Sequence, residues 1–163
     1  MEAIFIFGTL IVMLLIIITA YNDYTVNKIK EDIRDQITDL ANNTLEVTPE
    51  EFFEMRNKSF GGGALYSNNY NFAGVYILYN ESKDLYYVGQ GKQVLNRVNS
   101  HFTGKGNGDV YADYKYGDYW TISMIALEGS GFSTLNELER HSIDTYNSYE
   151  QGYNKTRGNK PKQ

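Results

Sequence analysis

Arg97 and His101 stand four residues apart, and Glu137 and Glu139 two apart, in a chain of 163 residues with no cysteine and only two histidines. On a helix, residues at i and i+4 stack along one flank. There Arg97 and His101 either meet a phosphate at the edge of the buried surface or lie over the core as an exposed couple. Around the glutamates, Leu135, Leu138, Ser142 and Tyr146 define an inner helical face. Glu139 lies beside that face, framed by Leu135 and Ile143. A carboxylate there costs desolvation unless paired, so a metal or an arginine is its natural partner. Glu137 falls on the opposite side and forms a Thr-x-x-Glu capping box with Thr134, a structural role. The absence of cysteine excludes disulfides, thiolate nucleophiles and cysteine zinc sites. His101 and His141 are too few for a multi-histidine centre, so any metal is a hard cation held by carboxylates and water.

The elements that must position these residues follow from local patterns. Phe72–Tyr79 (FAGVYILY) is β-branched and aromatic, Asn80-Glu81-Ser82-Lys83 is a turn, and Asp84–Gly89 (DLYYVG) is a second short run, so the pair predicts a hairpin. Phe72, Gly74, Tyr76 and Leu78 share one face of the first strand. A helix is predicted over Gln90–Phe102, with Val94, Leu95, Val98 and Phe102 as its apolar stripe. A loop rich in Gly, Asp and Tyr spans Thr103–Tyr119. A third strand is predicted over Trp120–Leu127 and a second helix over Ser133–Tyr149. The fold class is α+β, a small mixed ββαβα domain.

Gly74-Val75-Tyr76 and Tyr87-Val88-Gly89, eleven residues apart at their tyrosines, resemble the two name motifs of the GIY-YIG nucleases, with Val for Ile in both. The run Tyr87-Val88-Gly89…Lys92…Arg97…His101-Phe102 resembles the corresponding stretch of the excision-repair incision nuclease. Leu138-Glu139-Arg140-His141-Ser142-Ile143, followed by Gly152-Tyr153-Asn154, resembles the closing segment of the family's homing endonucleases. The resemblance covers residues 72–159 and implies an endonuclease that hydrolyses DNA. Phosphodiester cleavage needs an activated water, neutralised phosphate charge and help for the departing oxygen. The resemblance implies that Glu139 binds one Mg²⁺ (or Mn²⁺) and that Arg97 steadies the scissile phosphate. It makes Tyr76 the general base or the group that orients the water, with Tyr87 and His101 supporting and Asn154 orienting. Gln90 stands where the excision-repair enzymes usually carry Lys, which puts in doubt any mechanism in which a lysine activates the tyrosine, unless Lys92 takes that part. The alternative is a catalytically inactive nucleic-acid-binding module; a structural membrane protein with accidental motifs is a third reading. Sequence preference, if any, would come from the Thr103–Tyr119 loop, whose Tyr111, Tyr114, Tyr116 and Tyr119 could stack on bases or be plain surface.

Charge is consistent with this division. Residues 1–71 carry 5 Lys/Arg against 10 Asp/Glu and residues 72–163 carry 10 against 10, so the whole net charge of −5 lies in the first part. Lys155, Arg157, Lys160 and Lys162 close the chain as a basic tail that either binds phosphate backbone or only aids solubility. At the other end, Ala3–Ala20 is apolar apart from Thr9 and Thr19, and as a helix spans roughly 27 Å of a hydrocarbon core about 30 Å thick. Met1-Glu2 offers no positive leader, and the first cations, Lys28, Lys30 and Arg34, follow the apolar run. A single-pass membrane anchor is expected, N-terminus outside and the remainder cytoplasmic. Val26, Ile29, Ile33, Ile37, Leu40 and Thr44 or Leu45 form an amphipathic stripe, which either pairs two copies as a homodimer through residues 26–45 or holds the domain off the bilayer. Thr48-Pro49-Glu50-Glu51 starts a short helix, and Ser59–Asn71 is expected to be linker. The expected division is therefore 3–20 anchor, 21–71 helical linker, 72–159 catalytic domain and 160–163 tail. That location suits a nuclease that meets incoming DNA, such as phage DNA or DNA taken up from outside.

Overall fold

The computed structural model describes residues 2–60 and 64–159. The chain divides into two compact units, residues 1–36 and 37–163. The first is the body of helix α1 (Glu2–Asn42). No proline falls within it and Gly8 is its one glycine, so nothing interrupts the backbone ladder across the apolar run and the amphipathic stretch. The described side chains from Leu10 to Ile29 are exposed. By length and composition the helix is long and apolar enough to cross a membrane.

In the second unit, β3 (Gly74–Asn80) is the centre of a three-stranded antiparallel sheet, flanked by β4 (Leu85–Gly91) and β5 (Trp120–Ala126). Being central, β3 is closed on both faces. Tyr76 and Leu78 enter a cluster with Val94, Leu95, Val98 and Phe102, while Val75 and Ile77 are buried on the other side. The first face is covered by α4 (Val94–Phe102) and the second by α6 (Leu135–Thr145). Strand β4 runs two residues past the predicted end, because Gly91 and Gln90 pair with Gly74 and Val75. Helix α4 consequently starts at Val94, where Phe72 C=O and the Asn71 side chain accept the N–H groups of Val94 and Leu95.

Three sequence expectations are corrected. The predicted loop Thr103–Tyr119 holds a further helix, α5 (Gly108–Tyr116). Asn107 accepts the N–H groups of Asp109 and Val110 at its start, and Gly117, at φ 101°, closes it in the left-handed conformation. Helix α6 stops four residues early, where Asn147 turns to a positive φ of 49°. At its start Thr134 accepts the Glu137 N–H as expected, but the Glu137 carboxylate turns back to the Ser133 N–H, not to that of Thr134.

The third correction concerns the linker. Ile37 and Ala41, in the last turns of α1, are buried, and Val47 pairs with Ile122 on the outer edge of β5. Helix α2 (Pro49–Asn57) is held by the predicted Thr48–Glu51 capping box and inserts fully buried Phe52 into the core. A two-residue ribbon, β1 (Ser59–Phe60) with β2 (Ala64–Leu65), and the single turn α3 (Tyr66–Asn69) follow. The described residues 37–60 and 64–71 are therefore built into the unit. Gly61–Gly63 and the tail 160–163 lie outside the described residues.

Candidate active site

The first motif delivers Tyr76 to the central strand and the second delivers Tyr87 to an edge strand. That difference decides what each phenol can reach. Tyr76 is fully buried, whereas Tyr87 is partly exposed and lines a cleft of about 200 Å³ along the free edge of β4. Glu139, Val88, Asn107, Asn154 and Lys155 also line it. Gly89 lies opposite Tyr76 across the ladder, and a Cβ there would run into the Tyr76 hydroxyl. The glycine of the second motif thus makes room for the tyrosine of the first. At Gly74, a Cβ would meet the Ile125 carbonyl oxygen in the same way.

Behind Tyr87, three rings pack together. Their centroids are 6.2 Å apart for Tyr76 and Tyr87, 5.4 Å for Tyr76 and His101, and 4.7 Å for Tyr87 and His101. The predicted helical pair is split. His101 is buried at 1% exposure, while Arg97 is exposed. Seven residues bring the helix round to within about 20° of its start, so His101 falls in line with buried Val94 rather than with Arg97. His101 Nε2 lies 2.9 Å from the Tyr76 hydroxyl, and its Nδ1 accepts the Asn107 N–H at 2.9 Å. Since Nδ1 is an acceptor, the proton of the neutral ring sits on Nε2 and is donated to Tyr76. Burial, with the Arg97 charge adding to it, pushes the His101 pKa down from 6.5 to about 4.

Burial also raises both phenols. Tyr76 is driven far above the ordinary tyrosine range, partly opposed by Arg97, with Tyr87 pushing it further up. Tyr87 is raised by burial, while the Tyr76 hydroxyl and Arg97 both favour its ionised form and Glu139 opposes it. Of the two phenols, the one at the cleft is therefore the easier to ionise.

Glu139 reaches the cleft from α6, 9% exposed. Its Oε2 accepts from Gln90 Nε2 at 2.7 Å, and the same amide nitrogen donates to Asn136 Oδ1 at 2.6 Å. Gln90 is thus the residue that orients the carboxylate, a role that only its departure from the family pattern hinted at. Lys92 is exposed in the turn before α4. Asn154 accepts from the Val88 N–H at 2.9 Å and donates to the Val88 C=O at 2.7 Å, and the Tyr153 N–H donates to Tyr86 C=O. These bonds tie the closing segment to the β4 edge and fix one wall of the cleft.

Among the described residues no cluster of three or more His, Asp or Glu side chains exists, and Glu139 is the one acid lining the cleft. A single oriented carboxylate fits Mg²⁺ or Mn²⁺, which keep several waters and take further oxygens from phosphate. It does not make a zinc site.

The family model of the GIY-YIG catalytic domain matches residues 72–154. The chain belongs to the GIY-YIG family. No curated protein and no solved structure matches it. The GIY-YIG match takes in Tyr76, Tyr87, Arg97, His101, Glu139 and Asn154, and makes the domain one of nuclease type. It leaves out α1, α2 and residues 155–163. Asn107, whose N–H sets the His101 tautomer, and Asn136, which shares the Gln90 amide, are further members of the hydrogen-bond network around the matched residues. Asn107 was legible as a helix cap two residues before Asp109; nothing in the sequence marked Asn136.

Proposed function

We propose that the chain is a membrane-tethered endonuclease that hydrolyses DNA phosphodiester bonds with a divalent cation, Mg²⁺ or Mn²⁺. The observation that carries this reading is the meeting of Tyr87 and Glu139 on one cleft, with Arg97 close enough to favour ionised Tyr87. A cation held by Glu139 would supply charge to the scissile phosphate and acidify bound water. Gln90 keeps the carboxylate aimed at the cleft without adding a charge that would neutralise it.

In this scheme Tyr87 first gives up its own proton to solvent at the cleft, and as the phenolate takes the proton of the attacking water, because it is the phenol that reaches the cleft. Tyr76 stands behind it as a positioning residue, which reverses the order of roles implied by the family resemblance. The physical reason is strand position: the central strand buries Tyr76, while the edge strand leaves Tyr87 accessible. The Asn107 N–H fixes the His101 tautomer, His101 donates to Tyr76, and the Tyr76 hydroxyl is free to stabilise the charge that forms on Tyr87. Arg97 supplies a fixed positive charge to the phosphate as it gains negative charge.

The assay is cleavage of plasmid DNA by the full chain in detergent micelles, with Mg²⁺, with Mn²⁺ and with chelator. Nicked or linear product with metal only is expected. Absence of cleavage with either metal would sink the enzyme reading. DNA binding without cleavage would favour the inactive nucleic-acid-binding module. The tether rests on the apolar length of α1 and on Lys28, Lys30 and Arg34 following it, an order that orients the nuclease toward the cytoplasm, where incoming DNA would meet it. Full-length protein should stay with membranes through carbonate extraction. Digestion of the domain by protease added outside intact cells would overturn the orientation.

A further inference from the structure

Several cations of the second unit are held by acids of the fold. Lys83, Lys155 and Arg157 are each paired with carboxylates: Lys83 with Asp113 at 2.6 Å and Asp118 at 3.4 Å, Lys155 with Asp109 at 2.7 Å, and Arg157 with Glu150. Around α4 the pattern is the opposite. Arg56, Lys92, Arg97 and Lys105 have no carboxylate within 4.0 Å among the described residues. From Leu85 to Gly108, in an otherwise acidic chain, there is no Asp or Glu at all.

Arg56 is brought to this surface by α2. Its Nη2 donates to Asn96 Oδ1 at 3.5 Å, and Asn96 Nδ2 donates to Gln93 Oε1 at 2.9 Å. Its Nη1 donates to Asn57 Oδ1 at 2.9 Å. An arginine positioned by neutral amides keeps its whole charge for an anion. Its Nε is buried without an acceptor, so the fold itself gains little by holding the head there. Asn96 and Arg97 are consecutive and exposed on the first turns of α4. Arg56 therefore extends, from outside the matched family region, the surface that carries Arg97.

We infer that the exposed face of α4, extended by Arg56, is the track on which the phosphate backbone of duplex DNA lies, with Arg56 docking a phosphate beside the one at Arg97. The inference rests on the nuclease reading above and adds to it the path of the substrate. Nine residues of α4 run about 13 Å, about four base-pair steps at 3.4 Å each. Gln93 and Asn96 add neutral amide donors of the kind that hold phosphates in register without reading sequence. Arg56 is a docking residue, so its loss should raise KM and leave kcat in place, whereas loss of Arg97 should lower kcat.

The test is the salt dependence of binding. The full chain in detergent micelles is titrated with a short fluorescent DNA duplex of arbitrary sequence, without divalent cation, over a series of NaCl concentrations. Each phosphate contact contributes about 0.9 to the slope of log K against log salt. Arg56→Gln should reduce the slope by about 0.9 and weaken binding about eightfold at 0.1 M salt, taking the proteins as equal at 1 M. Arg56→Lys should keep the slope, and Lys83→Gln, whose cation is already paired, should leave it unchanged. If Arg56→Gln does not fold, Asn96→Asp sets a carboxylate against Arg56 and should produce the same loss. A wild-type slope in Arg56→Gln, or in Asn96→Asp, overturns the track. Salt-independent or absent binding by the wild type would instead bring down the nuclease reading and the track together.

Discussion

Acid should destabilise this fold through His101 before its carboxylates begin to matter. The ring is 1% exposed, its Nδ1 already accepts the Asn107 N–H, and its pKa is pushed down from 6.5 to about 4. Protonation would set two N–H groups against each other in a site that burial already makes unfavourable for charge. A histidine whose folded pKa is depressed binds fewer protons in the native than in the unfolded state. Its stabilising contribution is therefore fully present above about pH 6.5 and is lost as the pH falls toward 4. The shift amounts to about 3 kcal/mol in all, of which about 2 kcal/mol is gone by pH 5. Asp113 and Glu51, whose carboxyls are held below their ordinary values by hydrogen bonds from Lys83 and Tyr153 and from Thr48, lose their contributions only at lower pH. Urea unfolding, followed by the fluorescence of the single, buried Trp120, isolates the term. Between pH 7 and pH 5 wild type should lose about 2 kcal/mol more than His101→Gln, which is less stable throughout but has nothing to titrate there. Equal losses in the two proteins would refute the buried neutral ring and the tautomer derived from it.

Four further outcomes follow from the same geometry. Glu139→Gln should abolish metal-dependent cleavage and Mn²⁺ binding measured by electron paramagnetic resonance, while Glu137→Ala, which loses only its bond to the Ser133 N–H, should cost about 1 kcal/mol of stability and keep the activity. Gln90→Ala should weaken Mn²⁺ binding about 10- to 100-fold in the same measurement by freeing the Glu139 carboxylate to turn, and unchanged affinity would remove Gln90 from the site. In single-turnover cleavage Tyr87→Phe should lose about 10²- to 10⁴-fold and Tyr76→Phe distinctly less, and the reverse order would return the base role to Tyr76. Gly89→Ala drives a methyl group into the Tyr76 hydroxyl and should cost about 1–3 kcal/mol in urea unfolding together with most of the turnover.

The parts of the site legible in sequence were those set by short-range periodicity. Strand alternation gave the shared face of Gly74, Tyr76 and Leu78, and helical spacing gave the separate sides of Glu137 and Glu139. What periodicity could not give was long-range closure. Val47 pairs with Ile122 and Phe52 enters the core, yet both precede the glycines that looked like a linker. Gln90 looked like the start of a helix because polar residues surround it, but pairing opposite Val75 keeps it in the sheet and turns it toward α6. Helix α5 was hidden by tyrosines and glycines of low helix propensity, although its Asn107 cap and Gly117 stop were both visible.

The two motifs also explain each other once the strands are paired. Each supplies a tyrosine and a glycine, and the register sets Tyr76 opposite Gly89. A side chain at position 89 would displace the buried phenol, and a displaced phenol could neither accept from His101 nor support Tyr87. The same pairing leaves Tyr87 on the edge strand, where the closing segment at Tyr153 and Asn154 satisfies the exposed backbone without covering the phenol. An edge strand normally invites pairing with another chain. Here its free backbone groups at Tyr86 and Val88 are taken by residues sixty-odd positions later in the chain, so the edge is closed to a partner strand and the cleft beside it stays open to a phosphate.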